Sequence, residues 1–196
     1  MQSSSPHAGG IILASTSPRR SELLTRMGVR FTIMDSEADE NIDWPGPEAV
    51  VTLARRKAEA AAARVKAGIV LAADTIVWCQ DQVLGKPRDA SDAQRMLTMM
   101  AGRWHDVYTG LCVLDAATGE MKTAMERTRV HFTPIDALEI ARYVASGEPM
   151  DKAGAYGIQG RAGMFIDAIE GSPSNVMGLP MATARALLID VGILPA

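Results

Sequence analysis

The stretch Ile69–Cys79 constrains the fold more than any other part of this sequence, because it is apolar throughout except at Asp74 and Thr75. A nearly continuous apolar run is typical of a central strand that other elements cover on both faces. A carboxylate buried without a partner in such a strand is strongly destabilising. Asp74 therefore predicts a neighbouring cation, either a metal ion or a lysine. The alternative is an aspartate at the end of the strand, hydrogen-bonded to the backbone.

Strand and helix patterns alternate over the first part of the chain and then give way to hairpins. Besides Ile69–Cys79, strands are predicted at Ile11–Ala14, Val29–Met34, Val83–Leu84, Val107–Leu114, Thr123–Phe132 and Met164–Ile169. Helices are predicted between Ser17 and Gly28, and at Pro47–Lys66, Ser91–Met100, Asp136–Gly147 and Leu179–Val191. Ser17 and Asp136 have the side chains of helix caps. This order predicts an α/β fold with a mixed β-sheet flanked by helices.

Length and composition indicate an ordinary globular chain of 196 residues, long enough for one domain with a sizeable core. Residues 11–196 are predicted to form that single domain, and residues 1–10 a flexible tail. The net charge of −3 argues against a broad nucleic-acid surface. No apolar run approaches the roughly 18 residues of a membrane span. Cys79 and Cys112 form no disulfide pattern, so we expect a reducing, cytoplasmic environment.

The loop from Ser15 to Arg20 is the first candidate for ligand binding, because it joins a predicted strand to a predicted helix. The free N–H groups and partial positive charge of a helix N-terminus form an anion site. The hydroxyls of Ser15 and Ser17 add donors, and Arg19 and Arg20 add full charges. Two arginines in a first helical turn oppose the helix dipole, a penalty that a bound anion reverses. The alternative is that Ser17 merely caps the helix beside two solvated arginines.

Four further polar positions are weaker candidates when each is considered alone. Lys57 lies at the edge of the apolar stripe of a predicted helix, and Lys86 follows a hairpin; for either one a surface lysine is the ordinary interpretation. Glu40 closes an acidic loop that suits simple solvation. Gln159 lies in the glycine-dense segment 154–160, which suits either a loop that closes over a ligand or a structural turn. These residues indicate an anion site with carboxylates nearby, without choosing a reaction.

Five stretches in one order carry a resemblance that is far more specific than any single motif. They are Leu13–Leu24 (LASTSPRRSELL), Ala73–Val77 (ADTIV), Gly85–Pro87 (GKP), Asp151–Gly160 (DKAGAYGIQG) and Ser174–Pro180 (SNVMGLP). They resemble the Maf family of nucleotide pyrophosphatases. The resemblance implies an elongated mixed sheet with helices, forming two lobes around a deep cleft, as in inosine triphosphate pyrophosphatase-like folds. It also implies a homodimer, because homodimers are common in the family.

The resemblance further implies hydrolysis of a nucleoside triphosphate to the monophosphate and pyrophosphate, with a divalent metal. The Ala-Asp-Thr and Gly-Ile-Gln-Gly motifs resemble those of the family branch that prefers dTTP and UTP. For this branch the resemblance implies a housekeeping role in the nucleotide pool. One alternative is action on a modified purine triphosphate such as 7-methyl-GTP, the preference of the sister branch. Another is a nucleotide-binding regulator of cell division without important turnover. The expected partner is the triphosphate, with no nucleic acid and no membrane.

Residue roles carried over from the family apply only to matching positions. Asp74 matches the proton acceptor, and Lys57 and Lys86 match other polar positions of the family cleft. Glu40 and Asp74 are the expected ligands of Mg²⁺ or Mn²⁺, cations that prefer oxygen. The expected substrate-binding residues are Ser15, Ser17, Arg19, Arg20, Thr75 and Gln159. Three of these match positions linked to base selection: Arg19, Thr75 and Gln159.

Overall fold

The computed structural model describes residues 10–42 and 46–193. The predicted flexible tail at residues 1–10 lies outside the described residues, apart from Gly10, and stays a prediction. Within these two ranges, no helix is long and apolar enough to cross a membrane.

The strands of the described residues form one mixed sheet. They are β1 (Ile11–Leu13), β2 (Phe31–Ile33), β3 (Ile69–Cys79), β4 (Gln82–Leu84), β5 (Trp104–Asp115), β6 (Met121–Phe132) and β7 (Ile166–Glu170). Their order is β2-β1-β3-β5-β6-β7, and β4 pairs with the end of β3. Strand β1 is parallel to β2 and β3, whereas the remaining pairs are antiparallel. The sheet confirms the predicted mixed architecture.

Helices cover the sheet, as expected. They are α1 (Pro18–Arg26), α2 (Ala49–Ala62), α3 (Ala90–Met100), α4 (Ala137–Ala145), α5 (Pro173–Val176) and α6 (Met181–Asp190). Short 3₁₀ helices span Glu148–Asp151, Ala153–Ala155 and Arg161–Phe165. The last of these takes the first two residues of the strand predicted at Met164–Ile169, so β7 begins at Ile166.

The two predicted helix caps have different outcomes. Asp136 forms a complete capping box, in which its carboxylate accepts from the amides of Leu138 and Glu139 while the Glu139 side chain accepts from the Asp136 amide. Ser17 occupies the predicted N-cap position of α1, but its side chain makes no capping hydrogen bond. The loop is held by Ser15 instead, because Ser15 Oγ accepts from the Ser17 amide at 3.2 Å. The first turn of α1 therefore lacks a side-chain cap, and its N–H groups suit an anion.

Helix α2 packs directly onto the strand next to β3. Gly110 of β5 lies so close to α2 that a Cβ atom there would be 2.4 Å from the backbone carbonyl of Val50. Gly110 is also the register partner of Asp74. Lys57 follows Val50 by two helical turns and so lies on the same face of α2. Because Gly110 has no side chain, α2 can pack close to the sheet. The face of α2 that carries Lys57 therefore lies next to the strand that carries Asp74.

Three hydrophobic clusters stabilise the chain around a cleft. One packs α2 on one face of β1, β3 and β5, and a second packs α1 and α6 on the opposite face. The third gathers the far ends of β3, β5 and β6 with α3, α4 and the 3₁₀ segments. The described residues therefore confirm the predicted helix-flanked sheet with core on both sides of a cleft.

Candidate active site

The cleft forms where β3 loses its neighbours on one edge. Strand β1 pairs with β3 only as far as Leu71, and β4 pairs with it only from Val77 onward. Among the described residues no strand covers the edge between them, which contains Asp74 and Thr75. An uncovered stretch in a central strand leaves side chains and backbone open to a ligand, as at the switch points of other α/β sheets. The polar interruption of the apolar run therefore lies at the opening.

The cleft has a volume of about 580 Å³, which is large enough for a nucleotide. Its walls come from the β1–α1 loop, α2, the middle of β3, the turn after β4, and the glycine-rich segment 151–159. The structure brings together every residue that the sequence predicts for the site: Ser15, Ser17, Arg19, Arg20, Glu40, Lys57, Asp74, Thr75, Lys86 and Gln159. The predicted site residues therefore converge on one cleft.

Asp74 has the cationic partner that its burial predicts. Lys57 Nζ lies 2.6 Å from Asp74 Oδ1 and 3.1 Å from Glu40 Oε1. Lys57 and Asp74 are both buried, whereas Glu40 is exposed at the cleft. Asp74 lies in the middle of β3, so the alternative of a strand-end aspartate bonded to backbone is wrong. Two carboxylates therefore converge on one ammonium group.

Metal binding was expected at Glu40 and Asp74. No group of three or more His, Cys, Asp or Glu side chains within residues 10–42 and 46–193 is arranged to hold a metal ion. The two carboxylates nevertheless suit Mg²⁺, which is commonly held by one or two carboxylates together with substrate phosphates and water. The donor set thus fits a metal that arrives with a phosphate ligand.

Arg20 is held in place by acceptors from three segments of the chain. Its Nε donates to the Gly178 carbonyl at 2.9 Å, Nη1 to Ser15 Oγ at 3.2 Å, and Nη2 to Thr75 Oγ1 at 3.1 Å. A guanidinium has five N–H donors, so Nη1 and Nη2 each keep one for a ligand. Burial lowers the pKa of Arg20, although the charge of Asp74 acts in the opposite direction. The guanidinium remains charged and pre-oriented.

Arg19 reaches across the cleft to the segment on its other side. Its Nη1 donates to Asp151 Oδ2 at 2.8 Å, and Nη2 donates to the Asp151 carbonyl at 3.3 Å. Lys152 Nζ contacts Asp151 Oδ1 at 2.5 Å. Burial acts to raise the pKa of Asp151, but hydrogen bonds from Lys152 and Arg19 outweigh it and hold the pKa at about 2. An ionised Asp151 therefore ties the two walls together at Arg19.

The comparisons with known proteins identify the family. The family model described as Maf-like protein matches residues 10–191. The chain belongs to the Maf family. Proteins named dTTP/UTP pyrophosphatase from Pelotomaculum thermopropionicum and Myxococcus xanthus are each 48% identical to it, over 186 and 185 residues. These alignments cover 93% of this chain in both cases, and 96% and 93% of the relatives.

A third relative and one solved structure complete the comparison. The protein of Moorella thermoacetica, also named dTTP/UTP pyrophosphatase, is 46% identical over 185 residues, which cover 93% of this chain and 95% of that one. The structure of the Staphylococcus aureus Ham1 protein aligns with a TM-score of 0.44 at 14% identity, over 62% of this chain and 71% of that one. That likeness is too distant to carry an argument about this Maf protein.

The glycine-rich segment of this Maf chain is a packed structure. A Cβ atom at Gly154 would lie 2.7 Å from Val77, one at Gly157 2.8 Å from the Lys152 stem, and one at Gly160 2.0 Å from Glu148. Glu148 accepts from the Arg161 amide at 3.1 Å and from the Tyr143 hydroxyl at 3.1 Å. Gln159 is exposed at the cleft on this packed segment. The glycines therefore allow close packing, as the structural interpretation expects, and closure of the segment over a ligand stays a prediction.

Sequence reasoning assigned no role to several residues of this Maf cleft. Asp151 and Lys152 line it, and both lie in a motif that carried the resemblance. Thr109 of β5 contacts Thr75 from beneath, with 3.0 Å between the two hydroxyl oxygens, and belongs to none of the motifs. The charged pair was recognisable from its motif. Thr109 gives no sequence signal, because its position depends on the pairing of β3 with β5.

Proposed function

We propose that this Maf protein hydrolyses dTTP and UTP to the nucleoside monophosphate and pyrophosphate. The observation that carries the proposal is the cleft at the open edge of β3, where Lys57 contacts both Asp74 and Glu40 and further cations line the walls. These further cations are Arg19, Arg20, Lys86 and Lys152. A triphosphate needs such a concentration of positive charge, because charge on its oxygens must be balanced as the phosphate bond breaks. The name shared by relatives at 46–48% identity supports the same reaction.

Asp74 is the proposed proton acceptor. Lys57 Nζ donates a hydrogen bond to Asp74 Oδ1. This contact fixes the orientation of the carboxylate and therefore the position of its second oxygen, Oδ2. In the proposed reaction a water attacks the α-phosphorus, its proton passes to Asp74, and pyrophosphate leaves with the bonding electrons. Lys86 is exposed at the cleft and is proposed to balance charge on the leaving pyrophosphate. No covalent enzyme intermediate is needed.

A divalent metal ion, Mg²⁺ or Mn²⁺, is the proposed cofactor, and Glu40 and Asp74 would hold it. When bound, it would neutralise part of the phosphate charge. Both carboxylates already contact Lys57 Nζ, so they are close enough to serve one cation. Phosphate oxygens and water would complete the ligand set, because the described protein groups are too few to do so.

Base selection is proposed to rest on Arg19, Thr75 and Gln159. Thr75 and Gln159 are hydrogen-bonding side chains that line the cleft, and Gln159 stands on the packed segment held by Glu148. A site that hydrogen-bonds the edge of a base discriminates against bases that leave those groups unpaired. Ser15 and Ser17 are proposed to serve the phosphates, because they flank the uncapped N-terminus of α1.

We further propose the wider setting of this reaction. Residues 11–196 would form a single catalytic domain that acts in the cytoplasm as a homodimer. Its role would be nucleotide-pool housekeeping, without nucleic-acid or membrane partners. Size-exclusion chromatography with light scattering tests the dimer, and a monomer at micromolar concentration would contradict it.

The test of the proposed function is a substrate panel. Purified protein is incubated with UTP, dTTP, CTP, GTP and 7-methyl-GTP, with Mg²⁺ or Mn²⁺, and pyrophosphate release is followed. Release from UTP and dTTP is the expected result. Release from 7-methyl-GTP alone would assign the chain to the alternative branch. Nucleotide binding without pyrophosphate release from any member of the panel would contradict the proposed enzyme and favour the nucleotide-binding regulator.

Asp74→Asn tests the residue that carries the mechanism. Loss of the general base is expected to lower kcat by about a hundredfold or more. The variant should still fold, but with a lower unfolding midpoint, because Lys57 loses its buried anionic partner. The matched control is Asp35→Asn, because Asp35 also lines the cleft but does not contact Lys57. An Asp74→Asn variant as active as Asp35→Asn would exclude Asp74 as the base.

A further inference from the structure

A chain of hydroxyl groups runs from the cleft into the sheet. Thr75 and Thr109 are register partners on β3 and β5, and their Oγ1 atoms lie 3.0 Å apart. On the cleft side, Arg20 Nη2 lies 3.1 Å from Thr75 Oγ1. On the buried side, Thr109 Oγ1 lies 3.2 Å from the backbone carbonyl of Asn175. The chain therefore begins at a guanidinium and ends at a carbonyl.

The two ends determine the direction of every hydrogen bond between them. The Asn175 carbonyl can only accept, so Thr109 donates its one hydroxyl hydrogen to it. Thr109 then has only lone pairs for Thr75, and Thr75 must donate to Thr109. Arg20 can only donate, so it occupies a lone pair of Thr75. Because Thr109 is fully buried, water does not compete with this arrangement.

The consequence for a ligand concerns the oxygen of Thr75. A hydroxyl has one hydrogen and two lone pairs, and the protein uses the hydrogen and one lone pair. Thr75 therefore offers the cleft an acceptor and no donor. Thr75 is only half-buried and lines the cleft, so a ligand can approach its side chain. Phosphate oxygens are acceptors too, so this atom is unsuited to a phosphate and suited to an N–H group.

We propose that Thr109 is a positioning residue that sets the polarity of Thr75, so that Thr75 accepts a hydrogen bond from the ring N–H of the substrate base. The proposal rests on the proposed function. Uracil and thymine carry a hydrogen on N3, whereas N3 of cytosine has only a lone pair. The fixed acceptor at Thr75 therefore favours the first two bases and opposes cytosine. Specificity of this kind arises because a mismatched edge leaves buried polar groups unpaired.

The test measures the binding of UMP and CMP by calorimetry, which needs no turnover. The wild-type protein is expected to bind UMP more tightly than CMP. In Thr109→Val the Thr75 hydroxyl loses its acceptor and becomes free to donate to cytosine N3. The UMP preference should then fall by about tenfold, the effect of one hydrogen bond of ordinary strength. Thr109→Ser keeps the hydroxyl and should remain within about twofold of the wild type.

Thr128→Val is the matched control. Thr128 is another fully buried threonine, and its hydroxyl bonds to the same turn at Ser172 and Asn175, but it does not touch Thr75. Its substitution should lower the unfolding midpoint and leave the UMP preference unchanged. If Thr109→Val fails to fold, Thr75→Val gives the second test: it removes the acceptor and should weaken UMP binding by about tenfold while sparing CMP.

Several results would overturn the assignment. They are an equal affinity of the wild type for UMP and CMP, a Thr109→Val variant that keeps the full preference, and a Thr128→Val variant that loses as much of it. The proposed function fails separately. A wild type that prefers UMP, and loses that preference in Thr109→Val, but releases no pyrophosphate from UTP would overturn the reaction and leave the role of Thr109 standing.

Discussion

Lowering the pH from 7 to 5 is expected to destabilise this protein through His105, a buried residue beneath the wall of the cleft. His105 Nε2 lies 2.8 Å from the hydroxyl oxygen of Tyr156, which lines the cleft. Burial lowers the pKa of His105 to about 3, and repulsion from His131 acts in the same direction. The imidazole is therefore neutral in the folded protein, whereas in the unfolded chain its pKa is about 6.5.

The sign and size of the effect follow from this difference. When a group has a lower pKa in the folded state than in the unfolded chain, the unfolded chain takes up more protons as the pH falls. Stability is therefore complete above pH 6.5 and is lost progressively between pH 6.5 and about 3. At about 1.4 kcal/mol per pKa unit, the step from pH 7 to pH 5 costs about 2 kcal/mol, since most carboxylates remain ionised over that interval.

Urea denaturation at pH 7 and at pH 5, followed by circular dichroism, measures this loss. The matched variant is the double substitution His105→Phe with Tyr156→Phe, which replaces both hydrogen-bonding partners by rings inside a cluster that already contains Phe132 and Phe165. Its unfolding free energy should be nearly the same at the two pH values. If the double variant loses as much stability as the wild type, His105 is not the origin of the pH dependence.

Two further substitutions test the walls of the cleft. Lys57→Met should lower the unfolding free energy by about 3–5 kcal/mol, because it leaves Asp74 as an unpaired buried charge. The exposed Lys86 provides the control, since Lys86→Met should cost less than about 0.5 kcal/mol; equal losses in denaturant titrations would contradict the reasoning. Glu148→Gln should raise the KM for UTP about fivefold and change kcat by less than about twofold, because it loosens the segment that carries Gln159. An equal fall in kcat would place the effect on the chemical step instead.

Local patterns predict much of this fold. The apolar run Ile69–Cys79 is β3 at the predicted bounds, because burial on both faces leaves a continuous signal in the sequence. The helix start at Asp136 is also predicted, because a capping box involves only residues that are close in the chain. The ends of β2 and β7 are less accurate, since strand ends depend on partners far away in sequence.

The sequence predicted residues that line the cleft, but not the contacts between them. Asp74 predicted a neighbouring cation, but the sequence did not distinguish a metal ion from a lysine and left open a strand-end aspartate bonded to backbone. The choice of Lys57 depends on Gly110, which lets α2 approach the sheet, and on the register that places Gly110 opposite Asp74. The Ser17 cap is right in position only, because Ser17 is the N-cap residue of α1 but its hydroxyl makes no capping hydrogen bond.

Under the proposed function, the alternation of side chains along β3 lets one opening serve two purposes. Successive residues of a strand point to opposite faces, so Asp74 meets Lys57 of α2 while Thr75 meets Arg20 of α1. Under the proposed function, proton transfer and base selection thus belong to adjacent residues with separate supporting contacts. Changes at Thr109 or Thr75 act on the α1 side and leave the contact between Asp74 and Lys57 in place. Base preference in this protein should therefore vary without loss of the catalytic carboxylate, since the two depend on different helices.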